Sequence, residues 1–418
     1  MNRKVIVIGG GAAGMMAALF SARAGAETLL LERNEKLGKK VYITGKGRCN
    51  VTNAADMEQV MRQIIRNPRF MYAAFAQLDN AGVQALVESL GVPLKVERGE
   101  RVFPVSDKAS DVIHGFQRAL EREGVVIRLN TRVAALDVRD GVCRGVRLES
   151  GQVLAADAVI LATGGLSYPS TGSTGDGHAF ALDAGHSVQK PLPALVPIET
   201  KESWPANLTG LSLKNVRLSA YVQGPKKEKK LYSEMGEMLF THFGISGPLA
   251  LTLSSLLPED LSGVRLSIDL KPALDEPTLD ARLLRDFREM SRKQLISVMD
   301  GLAPHSLAEQ LLKLANLSPA MPVNAVTAQQ RGEILRLLKN VPLTPKKLRG
   351  FEEAIITRGG VTVKEIDPST MQSKLVKNLY FAGELMDVDA ATGGFNLQIA
   401  WSSGALAGKS AAEGEEAL

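Results

Sequence analysis

The chain opens on a run that is apolar at every position, Val5-Ile6-Val7-Ile8, and turns at once into glycines. Such a run predicts a strand buried on both faces of a parallel sheet. Residues 12–24, rich in Ala, Met and Leu, predict a helix that closes at Gly25. Thr28-Leu29-Leu30-Leu31 predicts a second short strand, completing a strand–helix–strand unit of about 30 residues. Residues 56–90 and 110–123 are helical in pattern, and Val125 to Leu129 is a strand. Residues 132–148 alternate apolar and polar positions around an Arg139-Asp140-Gly141 turn, as antiparallel strands do, and Ala158 to Ala162 is again a buried parallel strand. The character changes at Pro191-Leu192-Pro193, which marks a domain boundary. Beyond it, residues 195–270 alternate in short segments, among them Leu211 to Val222 and Val264 to Leu270, and predict a small β-barrel or sandwich. Residues 278–339 are helical in pattern, with breaks at Pro304, Pro319 and Pro322. From about Phe351 the chain returns to the first domain, ending in a strand from Asn378 to Ala382 and a helix from Asn396 to about Ala407.

Composition narrows the class. A chain of 418 residues predicts two or three domains. No apolar run approaches the roughly 20 residues needed to span a bilayer, and the N-terminus lacks the pattern of a secretory leader. Only Glu413 to Leu418 reads as disordered. Two cysteines, Cys49 and Cys143, form neither a disulfide framework nor a zinc cluster, and no metal site is expected. A reducing cytoplasm is the expected location. The net charge is +5, and its distribution says more than its size. Residues 201–350 carry 21 Lys and Arg against 15 Asp and Glu, while the rest of the chain is nearly neutral. The densest run, Lys226-Lys227-Glu228-Lys229-Lys230, reads either as a solvated hairpin tip or as a patch that attracts phosphates.

Gly9-Gly10-Gly11-Ala12-Ala13-Gly14 joins the first strand to the first helix and fits G-x-G-x-x-G. Gly9 permits the tight turn, Gly11 lets a pyrophosphate approach the backbone, and Gly14 lets helix and strand pack closely. The helix N-terminus adds free N–H groups and a favourable dipole. Glu32, 18 residues past Gly14, stands where a carboxylate accepts hydrogen bonds from a ribose. The chain is therefore expected to bind a dinucleotide. Two further segments choose between FAD and NAD. Val159-Ile160-Leu161-Ala162-Thr163-Gly164-Gly165 and Leu379-Tyr380-Phe381-Ala382-Gly383-Glu384 are strands ending in small-residue turns. Both resemble motifs of two-domain FAD proteins related to glutathione reductase. By that resemblance Glu384 meets the ribityl chain, and Thr392-Gly393-Gly394-Phe395-Asn396-Leu397-Gln398 opens a helix toward the flavin pyrimidine. No second G-x-G-x-x-G is present, so NAD(P)H is expected only as a transient co-substrate.

Four stretches make the resemblance specific: Ile43 to Asn53 (ITGKGRCNVTN), Arg101-Val102-Phe103-Pro104, Gly236 to Pro248 (GEMLFTHFGISGP) and Gly383 to Asp389 (GELMDVD). They resemble the signature of the BaiN/RdsA-like family of FAD-dependent oxidoreductases, and the likeness runs from residue 4 to residue 408. It implies an α/β fold in which a Rossmann-like FAD-binding domain, residues 1–192 and 347–418, is interrupted by an insertion. The insertion would be a β-barrel, residues 193–275 and 323–346, carrying a helical subdomain, residues 276–322. Beside the residues already named, it implies cofactor contacts at Ala13, Arg33, Lys40 and Val133, and at Gly45, Arg48 and Asn50 in the glycine-rich loop. The family reduces conjugated C=C bonds, and members are linked to steroid enones of bile-acid conversion and to dihydrouridine in ribosomal RNA.

Three residues are candidates for the chemistry. Cys49 sits between cations, Lys46 and Arg48, that would lower its pKa and favour thiolate. It reads either as a proton donor or redox thiol beside the flavin or as a small residue packed in the interior. His242, among glycines in the inserted domain, is the second candidate proton donor. Arg48 completes the set. His178, after Thr174-Gly175-Asp176-Gly177, reads as structural or as a cofactor contact. The predicted cycle takes electrons from NAD(P)H through FAD to a conjugated C=C bond. A uridine of 23S ribosomal RNA, held by the basic inserted domain, is preferred as substrate over a small enone such as a dehydro bile acid. A flavin-binding redox sensor, or an RNA-binding flavoprotein without turnover, is the reading from another class.

Overall fold

The computed structural model describes residues 2–224 and 227–414, so Lys226 of the basic run and residues 415–418 of the expected disordered tail lie outside it. The chain forms two units, Met1–Ala194 with Gly350–Leu418, and Leu195–Arg349.

In the first unit five parallel strands lie in the order Leu379–Phe381, Ala158–Leu161, Lys4–Ile8, Glu27–Leu31, Val126–Arg128. The first helix, Ala12–Arg23, is buried along nearly its whole length, which is why its sequence is apolar all round. It meets the last helix, Phe395–Glu413, at backbone contact. A Cβ on Gly404 would stand 2.4 Å from the Ala13 carbonyl oxygen, and one on Gly408 2.2 Å from that of Ala17. Trp401 of the last helix stacks on Phe116 with centroids 5.1 Å apart, and its Nε1 donates to the Val51 carbonyl at 2.9 Å. The span 56–90, helical in pattern, is three short helices rather than one. Asp56 caps Met57–Arg62 and Asp79 caps Asn80–Ser89, while Pro68–Met71 turns the chain ahead of Tyr72–Gln77.

A two-stranded ribbon, Val188–Ala194 against Ile356–Val361, carries the chain out of this unit and back. Its bulge between Gln189 and Leu192 accommodates the expected proline punctuation.

The second unit holds a seven-stranded antiparallel sheet. Its two edge strands, Val341–Leu343 and Pro345–Leu348, are separated in sequence by Thr344 alone. Flat, seven strands would hold their edges about 29 Å apart at ~4.8 Å per strand. The sheet therefore curls until its edges meet, as a barrel does. Its longest hairpin joins Ser212–Gln223 to Glu228–Thr241. Helices Pro248–Leu256, Glu276–Glu289, Leu295–Met299, His305–Leu314 and Ala328–Lys339 accompany the sheet. The last of these falls within residues 323–346, expected as barrel. Thr327 and Gln330 form a reciprocal capping box there, so the chain turns helical before it rejoins the sheet.

Candidate cofactor site

In open α/β sheets ligands bind at the carboxyl ends of strands where the strand order reverses. Here the order reverses between Lys4–Ile8 and Ala158–Leu161, and the two glycine motifs sit at that edge. Gly9 has φ +104, and a Cβ on it would lie 2.5 Å from the Ala162 carbonyl oxygen. A Cβ on Gly14 would lie 1.7 Å from the Gly9 carbonyl oxygen. Gly11, the residue before the helix, differs: among the described residues, apart from its own chain neighbours, no atom lies within 4 Å of where its Cβ would be. Packing does not require a glycine there. The approach of a ligand would, and the helix N-terminus beside it has unpaired N–H groups that suit a phosphate. This is the first test that FAD fits. A second is Asn50, whose Oδ1 is buried without a partner among the described residues and would be satisfied by a donor brought in with a bound group.

Glu32 is held above the glycine turn. Its Oε2 accepts from the Gly10 N–H at 2.7 Å, and its Oε1 from Asn34 N at 2.8 Å and Asn34 Nδ2 at 2.7 Å. A carboxylate offers about four lone-pair positions, so capacity for a ribose hydroxyl remains. The Thr131 N–H donates to the Glu32 carbonyl at 2.9 Å, which brings the strand beginning at Val133 beside the acid. Arg33 reaches instead to Asp176 at 3.0 Å and Thr174 Oγ1 at 2.6 Å.

Glu384 is the centre of a second network. Its Oε2 accepts from Lys40 Nζ at 2.7 Å, and its Oε1 from Ser167 Oγ at 2.7 Å and Thr357 N at 2.9 Å. Gly165 is a glycine because of it: a Cβ would lie 2.4 Å from Thr357 Oγ1 and 2.9 Å from Glu384 Oε1. Thr163 and Gly164 precede it, half-buried, with Gly164 at φ +74. Gly383, Gly393 and Gly394 all have positive φ, and Gly394 abuts Thr52, whose carbonyl oxygen would be 2.4 Å from a Cβ. Asn396 fastens the loop before the last helix, its Oδ1 accepting from Ala390 N at 2.9 Å and its Nδ2 donating to Ala390 O at 2.8 Å. Leu397 follows, half-buried.

The glycine-rich loop corrects one expectation. Gly45, Lys46, Gly47 and Cys49 all have positive φ, and the resulting kinks send Cys49 inward and Arg48 outward. Cys49 is wholly buried in the apolar core, and burial pushes its thiol up to about 12, so it is no thiolate near neutral pH. Arg48 grips Glu97 through both guanidinium nitrogens at 2.9 and 3.3 Å, bonds Asp107 at 3.2 Å, and lies 4.0 Å above the Phe103 ring. Cys143 is also buried, its thiol raised to about 11. Iodoacetamide near pH 8, where ordinary thiols react (about one unit from their pKa), should therefore leave both cysteines of the native protein intact and label them after denaturation. Rapid native labelling of Cys49 would restore the thiolate reading.

His178 is buried, and burial lowers its pKa against the opposing pull of the Leu385 backbone and of Glu384. His242 lies in the second unit, exposed at the turn between Glu228–Thr241 and Gly244–Ser246, edge-on to Phe243. One contact in the first unit escaped sequence reasoning. Arg66 binds both oxygens of the buried Asp389, at 2.7 and 2.9 Å, across 323 residues of sequence. Nothing in local spacing announces it.

These features define a Rossmann-type FAD-binding domain in a mixed α/β protein. The chain belongs to the HI0933-like Rossmann-domain family, whose pattern it matches over residues 3–410. The 3-dehydro-bile acid delta(4,6)-reductase of Clostridium scindens is 33% identical over 99% of this chain and 100% of its own. The ribosomal RNA dihydrouridine synthase of Escherichia coli is 29% identical over 95% of each chain. In fold the chain is similar to the 3-ketosteroid delta1-dehydrogenase of Sterolibacterium denitrificans, with a TM-score of 0.52 at 13% identity, over 98% of this chain and 100% of that one. Among the described residues no helix is long and apolar enough to cross a membrane, and no three His, Cys, Asp or Glu side chains could jointly hold a metal ion.

Proposed function

We propose that the protein is an FAD-dependent oxidoreductase that takes electrons from NAD(P)H and reduces a conjugated C=C bond, in a uridine of 23S ribosomal RNA, to give dihydrouridine. The observation that carries the RNA reading is the charge of the inserted unit. Lys201, Lys214, Arg217, Lys229, Lys230 and Lys346 are all exposed on it. Such side chains bind a phosphate backbone by releasing its counterions, so affinity falls steeply with salt. The named activity of the Escherichia coli relative supports the same choice.

Bound FAD would supply the hydride chemistry. The chain's own residues bind and orient it: the Gly9–Gly14 turn at the pyrophosphate, Glu32 at the ribose, Glu384 with Lys40 and Ser167 along the ribityl side, and the Gly393–Leu397 helix end at the pyrimidine. The reduced bond also needs a proton on its neighbouring carbon. Of the two candidate donors Cys49 is sealed in the core, whereas His242 is exposed.

Ribosomal RNA from a strain lacking the gene should lose a uridine species heavier by two hydrogens, seen by mass spectrometry and restored by the intact gene. An unchanged modification profile would reject the RNA substrate. The 33% identity to the bile-acid reductase favours the second reading, a steroid-like enone. That reading expects NAD(P)H oxidation driven by a dehydro bile acid and insensitive to salt.

A further inference from the structure

The near-neutral charge of the first unit hides a local cluster beside the loop that leads into the Gly393–Leu397 helix end. Residues 59–78 contain three arginines, Arg62, Arg66 and Arg69, and no carboxylate. Part of this segment is bonded along one side of loop 387–391. Ile65 N donates to Asp389 O at 2.8 Å, Ala391 N to Gln63 O at 2.9 Å, and Asn67 Nδ2 to Asp387 O at 2.6 Å. Asn53 Nδ2 donates to both Gly99 O and Gly393 O at 3.0 Å, which ties residue 393, just after this loop, to the turn at Gly99.

One aromatic ring stands out on this rim. Tyr72 is 61% exposed, the highest value among the exposed large hydrophobic side chains of the described residues. Arg69, also exposed, precedes it by three residues across a 3₁₀ turn that continues into a helix. Residues at that spacing share a face. An uncovered tyrosine beside an exposed cation that forms no ion pair among the described residues suits an unpaired nucleotide, with the base stacked on the ring and the phosphate on the guanidinium. It does not suit a small enone, which needs an enclosed apolar pocket. Of the carboxylates in the neighbourhood, Asp389 is paired with Arg66 and Glu58 with Arg62, while Asp387 is half-buried and accepts from Asn67 Nδ2 at 3.3 Å.

We propose that Arg69 and Tyr72 form a docking surface on the FAD-binding unit for a single-stranded segment of the substrate RNA, next to the nucleotide to be reduced. This rests on the RNA reading given above. A uridine inside a helix cannot reach a flavin, so it must be splayed out and its neighbours held. The inserted unit's cations supply long-range attraction, and this rim supplies the local grip.

The test is fluorescence anisotropy of the FAD-loaded protein with a labelled uridine-rich single-stranded RNA across a salt series. Tyr72→Ala should weaken binding about tenfold, the scale of one stacked base, with the salt slope unchanged, and Tyr72→Phe should restore it. Arg69→Ala should lower the slope of log affinity against log salt by about 0.7, one phosphate contact on a single strand. Flavin absorbance checks that each variant is folded and loaded. Wild-type affinity and slope in both alanine variants would overturn the docking surface and leave the RNA reading standing. Failure of the wild-type protein to bind any RNA would overturn both.

Discussion

Gly11→Ala should bind FAD at least tenfold more weakly, about 1.4 kcal/mol, while keeping the stability of the native apoprotein. Gly14→Ala should lose both. The two positions belong to one motif but answer to different neighbours. At Gly11 the backbone is extended, with φ −79, and an added methyl meets no atom of the described residues within 4 Å, its own chain neighbours apart. Alanine is compatible with that conformation and even restrains the unfolded chain, so the fold has no reason to suffer. The methyl would occupy the space through which a pyrophosphate reaches the helix N-terminus. At Gly14 the same methyl would stand 1.7 Å from the Gly9 carbonyl oxygen, well inside contact distance. Strand and helix must separate to admit it, which costs about 1–3 kcal/mol or more and opens the turn that shapes the site. Flavin content after purification, FAD titration of the apoprotein and thermal melts measure the three quantities. If Gly11→Ala binds FAD as tightly as the wild type, no phosphate passes over that residue.

What was legible beforehand follows the reach of each signal. The strand–turn–helix at residues 4–23 was clear because its causes are local: four consecutive apolar residues, three glycines at fixed spacing, an alanine-rich helix. The strand Glu228–Thr241 was not singled out, because its charged first half reads as a surface tip until Ser212–Gln223 pairs with it. Cys49 misled for a related reason. Sequence places it between two cations, but positive φ at Lys46 and at Cys49 itself turns neighbours in opposite directions, so adjacency in sequence became separation in space. The contact of Gly404 and Gly408 with the first helix was invisible because each glycine's partner lies almost 400 residues away, roughly the full chain. The Arg66–Asp389 pair is the same case among charges.

That pair supports the other large prediction. Arg66→Met should destabilise the protein by about 3–5 kcal/mol near neutral pH, and the loss should shrink as the pH is lowered. Asp389 is almost fully buried, and burial already holds its carboxyl above the usual range, against the opposing pull of Arg66 and Arg358 and with Asp387 adding to the rise. Without the Arg66 guanidinium, desolvation is opposed by less positive charge, and the folded-state pKa climbs further. A carboxyl whose folded pKa exceeds its unfolded value of about 3.9 favours the fold only while protonated. Its contribution is complete below about pH 4 and is lost as the pH rises through the folded pKa. The gap between variant and wild type should therefore widen from acid toward neutrality. Arg66→Met combined with Asp389→Asn removes the uncompensated charge and should recover part of the loss, while flattening the pH dependence. Because Asp389 O also accepts from Ile65 N and Arg66 N, the backbone that leads into the last helix stays tethered in both variants. A stability gap that is the same at every pH would mean that packing of the Arg66 side chain, rather than its charge, holds this loop.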